Sequence, residues 1–593
     1  MPAVIVGTFA GEVPRLEPGL LETQQASRAV NCTMDRGSLR ALRGPSRVAN
    51  LPAVSGTIYK HPQDGWLGWS SDKVSVVPSA VIDVDGDAPL GHLLITGERE
   101  YPTQRLAGGD TCRLGLPRPS TAPELNRNEM SAAGTVRVMG YAAPDYGDVP
   151  GRYGEDDQLL PIVPSGGTLT ATLELAEGED QGISRSTIYC YTYVRYMADG
   201  VIQQESAPSP PSVMVDVLDG DGVTVGGFVL PTLDDVRVTH IRIYRTVGGT
   251  ESGEFRFVAE IPATQTEYED TAHDKDIDVE VLRTSLWDAI PDDAQGLIKT
   301  DNGIYAAFRG NELLVSEPYI PYAFPDAYRL TVEDKIVALS HVDNTIVILT
   351  EGRPYLAQGQ APESLQLIHL PIEQSCVSAR SVSTLPGGVI FASPDGLMLF
   401  SANEQTLLTG GMFTREQWQE LGPADILGAV SEDQYIAFSR ATGRGFVYDF
   451  SRKDVVRLDL PDVAVHALYR HTGDDCLYLS MDDGTPGVGR YGDGEHLTFT
   501  WRSKAFFTSA LVGMTALRVT GGQRPGNRLL VTVYGPHPTR ARARLRLTDS
   551  RTKRITATRA ERWWSVELSG RCTVRELRLG TGVEALEVGG GGA

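Results

Sequence analysis

Five segments of this chain share one short pattern: a strand, a tight polar turn and a second strand. They are DNGIYAAFRGNELLVSE (301–317), DNTIVILTEGRPYLAQG (343–359), GGVIFASPDGLMLFSANE (387–404), DQYIAFSRATGRGFVYDF (433–450) and DCLYLSMDDGTPGVGRYG (475–492). Their starts lie 42, 44, 46 and 42 residues apart. A period in the forties leaves room for about four strands per unit, which is what a propeller blade requires. Such a unit cannot bury its apolar faces alone and must stack on its neighbours around an axis. Within residues 55–78, TIYKHPQDGWLGWSSDKVSV has the same form and predicts a sixth blade. An early strand would then close the ring, and the intervening chain would be an insertion.

At 593 residues the chain exceeds what one hydrophobic core supports, so several domains are expected. Glycine (63) and proline (36) make about one residue in six, and short alternating runs rich in Val, Ile, Tyr and Thr recur. The fold class that follows is all-β: a multidomain β-propeller with an inserted sandwich and a C-terminal β-sandwich. Residues 1–50 read as an N-terminal docking arm, 51–117 as a first propeller-like blade and 118–286 as the inserted β-sandwich. Residues 287–500 read as the propeller blades and 501–593 as the C-terminal sandwich. The insertion alternates in TLTATLEL (168–175), STIYCYTYVRYM (186–197), THIRIYRTV (239–247) and FRFVAEI (255–261). Its ESAPSPPS run is barred from a central strand by its prolines. That order, over about 168–270, resembles immunoglobulin-like and fibronectin type III domains. One short helix is predicted where Thr414 and Gln417 have capping-box spacing and Phe413 can staple against Trp418; it ends near Gly422-Pro423.

The common signatures of catalysis are missing from the sequence. The chain has no GxxxxGK[ST], HExxH, GxSxG or dinucleotide fingerprint. The six cysteines (Cys32, Cys112, Cys190, Cys376, Cys476 and Cys572) form no CxxC pair and are expected as free buried thiols. The ten histidines are scattered singly. Asp83-Val84-Asp85-Gly86-Asp87 has the spacing of half a calcium loop without its closing glutamate, so an acidic turn and a loop-stiffening cation site both stand. Asp219-Gly220-Asp221-Gly222 reads as a hairpin turn. Ser393-Pro394-Asp395-Gly396 resembles a sialidase Asp-box but lacks the following aromatic. No enzyme activity, cofactor or metal is expected. No run of about 18 apolar residues is present, and the start MPAVIVGTFAGEVPRLEPGL lacks a basic segment and a long apolar core, so folding in the cytoplasm is expected.

Charge is unevenly placed. Residues 540–562 carry nine basic and two acidic side chains, +7, which leaves −29 for the remainder of a chain of net −22. In RARARLRL, Arg540, Arg542, Arg544 and Arg546 alternate, so on a strand they would share one face. Burying them without partners would cost several kcal/mol each. Three readings follow: a solvated edge that blocks unwanted pairing, an interface with an acidic neighbour, or contact with DNA. In the arm, Leu16, Leu20, Leu21 and Val30 are apolar residues that a dangling segment would leave wet, so the arm is expected to dock on the body or a neighbouring subunit. Deleting residues 1–50 is expected to stop ring assembly and leave the blades folded.

The arm, VPRLEPGLLETQQASRAVN…RGSLRALRGP, together with the blade segments GRPYLAQG and GVIFASPDGLMLF, resembles the tail nozzle proteins of short-tailed bacteriophages, also called tail tubular protein B. Ala41 stands where that family commonly has proline. The resemblance implies a virion tail component, a homo-oligomer of six copies below the portal and adaptor ring. It implies that tail fibre and tail tip proteins attach to it and that double-stranded DNA passes through without specific binding. The host envelope would be met only indirectly. Six copies would carry −132 formal charges, six times −22, and an acidic lumen would repel phosphates; acidity also serves plain solubility. The competing reading is a receptor- or carbohydrate-binding tail adhesin built on a propeller. It needs aromatic platforms at blade loops, and the seven tryptophans are not in register with the repeat.

Overall fold

A computed structural model describes residues 3–587 except 35, 80–90, 107–108, 129–184, 197–202, 218–221, 234, 248–252, 278, 370–371, 402–404, 525, 538 and 557–558. The acidic loop Asp83–Asp87, the alternating run 168–175 and most of the turn at 219–222 therefore lie outside the described residues.

Every repeat falls on the two middle strands of a four-stranded antiparallel blade, and the blade of the fourth repeat continues into a larger sheet. In the first, Tyr305–Arg309 and Glu312–Val315 pair across the two-residue turn Gly310-Asn311, with Gly310 at φ 59°. In the second, Thr345–Thr350 follows a turn in which Asp343 takes φ 52°. These left-handed turn residues give the twist that a tight hairpin needs. The middle strands are buried along nearly their whole length, as in Gly388–Ser393 and Thr345–Thr350. Each sheet has a neighbour on both faces, which is why VIFA and IVIL are apolar without alternation.

The ring has seven blades among the described residues. Blade one is the hairpin Thr57–His61 with Gly65–Trp69. Blade two is built from Ser75–Pro78, Leu93–Thr96, Thr103–Arg105 and Thr111–Arg113. Blades three to six begin at Gln295, Ile336, Ser383 and Ile426. Blade seven comprises Ala464–His471, Cys476–Asp482, Pro486–Arg490 and, as its outermost strand, Ser46–Asn50. One apolar core fills each of the seven gaps between successive blades, including the gap from seven back to one, where Ile58 and Leu51 meet Ala467, Tyr478 and Val488. Residues 55–78 thus supply the hairpin of one blade, as expected, and also the first strand of a second blade that the repeat did not reveal. The chain crosses to a new sheet after Trp69, because Ser75–Pro78 pairs with Leu93–Thr96 and not with its own hairpin.

The predicted helix is present at Arg415–Gln419, with the Thr414–Gln417 capping box made and the Phe413 and Trp418 rings 6.0 Å apart. Trp418 is fully buried between blades five and six, and its Nε1 donates to the Ser393 carbonyl at 2.9 Å.

Between blades two and three the chain leaves the ring and builds a separate two-layer body. Gln203–Glu205, Tyr189–Tyr196, His240–Thr246 and Phe255–Pro262 form one sheet; Glu124–Asn128, Gly222–Gly226 and Glu267–Asp270 form another. Tyr189, Tyr191 and Tyr193 enter the core they share with Val223, Val225, Ile241 and Ile243. The proline-rich run lies along the outside of Tyr189–Tyr196. Ser206, Ser209 and Ser212, three residues apart, accept hydrogen bonds on their hydroxyls from the amides of Tyr193, Tyr191 and Tyr189. This body is tied to blade two through Arg195, which donates to the carbonyls of Arg113 and Val236 at 2.9 Å each.

The arm is part of two bodies. Ala3–Val6 is an edge strand on Val574–Gly580. Ala26–Val30 lies between Asp454–Leu458, the outer strand of blade six, and Phe499–Ser503 of the C-terminal body. The result is one ten-stranded sheet running from blade six into the C-terminal sandwich. Phe9, Ala29 and Leu39 join Trp501, Trp564, Val566 and Leu577 in its core. Two expectations change here. Residues 1–50 are no separable arm, because Ser46–Asn50 completes blade seven, so their deletion removes the outermost strand of that blade. The C-terminal body also begins before 501, since Phe499–Ser503 already pairs with Glu561–Gly570.

All six cysteines are free, five of them buried; Cys476 is only half-buried, which departs from the expectation.

Candidate interaction surface

The four apolar arm residues separate into two pairs. Leu21 and Val30 are buried within the same chain, whereas Leu16 and Leu20 stay at the surface, Leu20 with 72% exposure. The cause is the turn they occupy. The Leu16 amide donates to the Val13 carbonyl and the Leu20 amide to that of Glu17, which folds residues 13–20 into two compact bends. Those bends are held from both sides: the Arg15 amide donates to the Met412 carbonyl at 2.7 Å, and the Ala505 amide to that of Pro18 at 2.8 Å. The Lys504 ammonium donates to the Leu21 carbonyl. Gly19 sits so close to Phe507 that a Cβ there would lie 2.8 Å from the ring.

The arginine strand is Ala541–Leu547, at the edge of the ten-stranded sheet. Leu547 enters the core and Leu545 and Ala543 pack against it, so Arg542, Arg544 and Arg546 share the opposite face. Arg540 does not belong to that row. It lies before the strand, beyond the irregularity where Tyr534 pairs with Ala541. Arg542 forms an ion pair with Glu561 at 2.6 Å. Arg544 and Arg546 are exposed, and neither has an ion-pair partner among the described residues.

Strand register assembles a face that the local sequence does not reveal. Arg28 lies opposite Arg502, Arg502 opposite Glu567, Glu567 opposite Thr532, and Thr532 opposite Arg544. The row beside it brings Leu530 opposite Arg546. The Arg502 guanidinium stacks 4.0 Å from the centre of the Tyr534 ring, within cation–π range. Burial pulls Arg502 below its ordinary value, while Tyr534 and Glu567 hold it up. Phe507 pairs in register with Trp563 on the same face and is 67% exposed. Sequence reading found the alternation in RARARLRL and missed Arg28, Arg502, Phe507 and Trp563. No short-range pattern links residues so far apart.

A cavity of about 240 Å³ is lined by the inner strands of five blades, including Ile58, Val76, Leu297, Leu427 and Leu468. Arg380 reaches into it and donates to the carbonyls of Asp72 (2.5 Å) and Val74 (2.9 Å) and to the Thr57 hydroxyl (2.5 Å). Burial lowers its pKa to about 10, with Asp72 opposing, so it stays cationic at neutral pH. Asp395 of the Asp-box-like turn accepts a hydrogen bond from Gln374 at 2.9 Å and pairs with Arg415 at 3.2 Å. Asn31 exchanges two 2.8 Å hydrogen bonds with the backbone of Asp459. Among the described residues no group of three or more His, Cys, Asp or Glu is placed to hold a metal ion.

No protein-family model matches the chain, and no curated protein matches it. Among solved structures it is similar to the Neurospora crassa Pan2 WD40 domain, at 8% identity over 47% of this chain and 87% of that one, with a TM-score of 0.24. The β-propeller domain of Myceliophteria thermophila Swd1 is 12% identical over 36% of this chain and 68% of that one, with a TM-score of 0.25. PorZ, a type-IX secretion component of Porphyromonas gingivalis, is 13% identical over 58% and 50%, with a TM-score of 0.24. Likenesses this weak carry no argument. The propeller rests on its seven sheets and the seven cores between them.

Proposed function

We propose that this chain is a structural, ring-forming component of a phage tail, of the nozzle type, and not an enzyme. The observation that supports it best is the ten-stranded sheet that fuses blade six, the arm and the C-terminal body. Such continuity makes a rigid block, suited to bearing load between neighbours. We place the DNA path outside the propeller, because Arg380 lines the cavity between the inner strands and is bonded there to the Asp72 and Val74 carbonyls. A DNA channel would therefore have to be enclosed by several copies, and a hexamer in the virion tail is the arrangement we favour. In this reading DNA slides past an acidic wall, and the loops present a platform for adaptor, fibre and tail tip proteins. The inserted two-sheet body is of the fibronectin type III or immunoglobulin kind and serves as one such platform.

Negative-stain imaging of the purified protein tests the proposal. A six-fold ring with a central hole is expected. A monomer or a trimeric spike would favour the adhesin reading instead, and polysaccharide turnover abolished by one carboxylate substitution would replace both with an enzyme.

A further inference from the structure

We propose that the outer face of the C-terminal sheet, centred on Arg544, Arg546 and Phe507, docks the acidic surface of a second copy of this chain. The proposal rests on the ring-forming reading and says which face makes the contact.

Two observations carry it. The first is composition by position. Arg28, Arg502, Arg544 and Arg546 are brought onto one sheet face by register, and Arg544 and Arg546 remain exposed without an ion-pair partner among the described residues. Beside them lie exposed Phe507 and Leu530 and the half-buried Trp563. Arginine with aromatic side chains is the mixture enriched in protein interfaces, where a guanidinium pairs with carboxylates and a ring fills a pocket. The second is charge complementarity. Among the described residues the segment 540–562 is +7 and the remainder −10, so a second copy carries the matching sign of charge. Asp292, Asp293, Asp301 and Asp326 on and beside blade three have side chains more than half exposed, although each also faces a side chain of its own chain, Arg113, Arg309, His341 and Arg329 in turn.

A nucleic acid fits this face less well. Glu567 lies opposite Arg502 in the arginine row, and Glu561 pairs with Arg542 beside it. Carboxylates so placed repel phosphate, whereas a protein partner can answer both signs.

The experiment compares the full chain with R544E/R546E and with F507S by sedimentation velocity over a concentration series, at about 0.1 M and about 1 M salt. All three sites are exposed, so circular dichroism and thermal melting of the variants should match the wild type. The expected result is that wild-type assemblies shift toward monomer at high salt, and that each variant raises the dissociation constant by tenfold or more. Variants that assemble like the wild type would overturn this inference and leave the ring reading standing. A wild type that stays monomeric throughout would remove both. Binding of a random-sequence DNA duplex that R544E/R546E abolishes, with assembly unchanged, would also overturn it.

Discussion

Replacing Glu12 with alanine should loosen the seam between the propeller and the C-terminal body. Glu12 is 1% exposed and works at three points. Its amide donates to the Val455 carbonyl at 2.7 Å. Its Oε1 accepts from the Ala29 amide at 2.5 Å, and its Oε2 from Arg457 Nε at 2.9 Å. Alanine keeps the first bond and loses the other two. The Ala29 N–H is then buried without an acceptor, which costs about 1–3 kcal/mol. The Arg457 side chain is 54% exposed and recovers water, so that pair adds less than about 1 kcal/mol. A local loss of about 2–3 kcal/mol corresponds to roughly 30- to 150-fold faster hydrogen exchange at the Ala29 amide. Glu12→Gln retains an acceptor for that amide and should show only a small part of the effect.

The pH dependence has a definite sign. Burial raises the Glu12 carboxyl above its ordinary value, against the pull of Arg457 and the Ala29 amide. Asp454, which accepts from the Gly11 amide at 2.6 Å, is raised for the same reason. As pH rises through the ordinary carboxylate range, the unfolded chain releases these protons first, so the seam loses stability until the folded values are passed. Protection of the Ala26–Val30 amides should therefore fall over that window, after correction for intrinsic exchange. Glu12→Gln should flatten part of the slope. Unchanged exchange in Glu12→Ala, or a pH slope untouched by Glu12→Gln, would refute the reasoning.

Two further outcomes follow from the fold. Asp270→Ala removes one of the two carboxylates paired with the fully buried Arg245 (3.1 Å; Asp274 at 2.9 Å remains) and the 2.8 Å acceptor of Tyr189, so about 2–3 kcal/mol should be lost; hydrogen-exchange mass spectrometry should confine the loss to the inserted body, and loosening spread through the blades would contradict it. A chain begun at Leu51 lacks the outer strand of blade seven, so the Gly487–Arg490 amides in the strand that pairs with Ser46–Asn50 should lose protection along with the C-terminal core; retained protection there would show that the ring closes without that strand.

The sequence alone determined the local units. The repeat places the central hairpins of blades three to seven, Thr414 and Gln417 place the helix start, and the prolines of ESAPSPPS keep that run at an edge. Each is legible because its cause lies within a few residues: turn chemistry, side-chain alternation or a missing N–H. Only the tertiary structure decided what closes the ring and what joins the bodies. Ser46–Asn50 and Ala26–Val30 are short, partly polar strands with no pattern naming partners more than 400 residues away. Their pairing is selected by unsatisfied strand edges and a shared core, which exist only after the blades and the C-terminal sheets have formed. The arginine face has the same origin. Alternation puts Arg542, Arg544 and Arg546 on one side of a strand, and inter-strand register alone sets Arg28, Arg502 and Phe507 on the same side of the sheet.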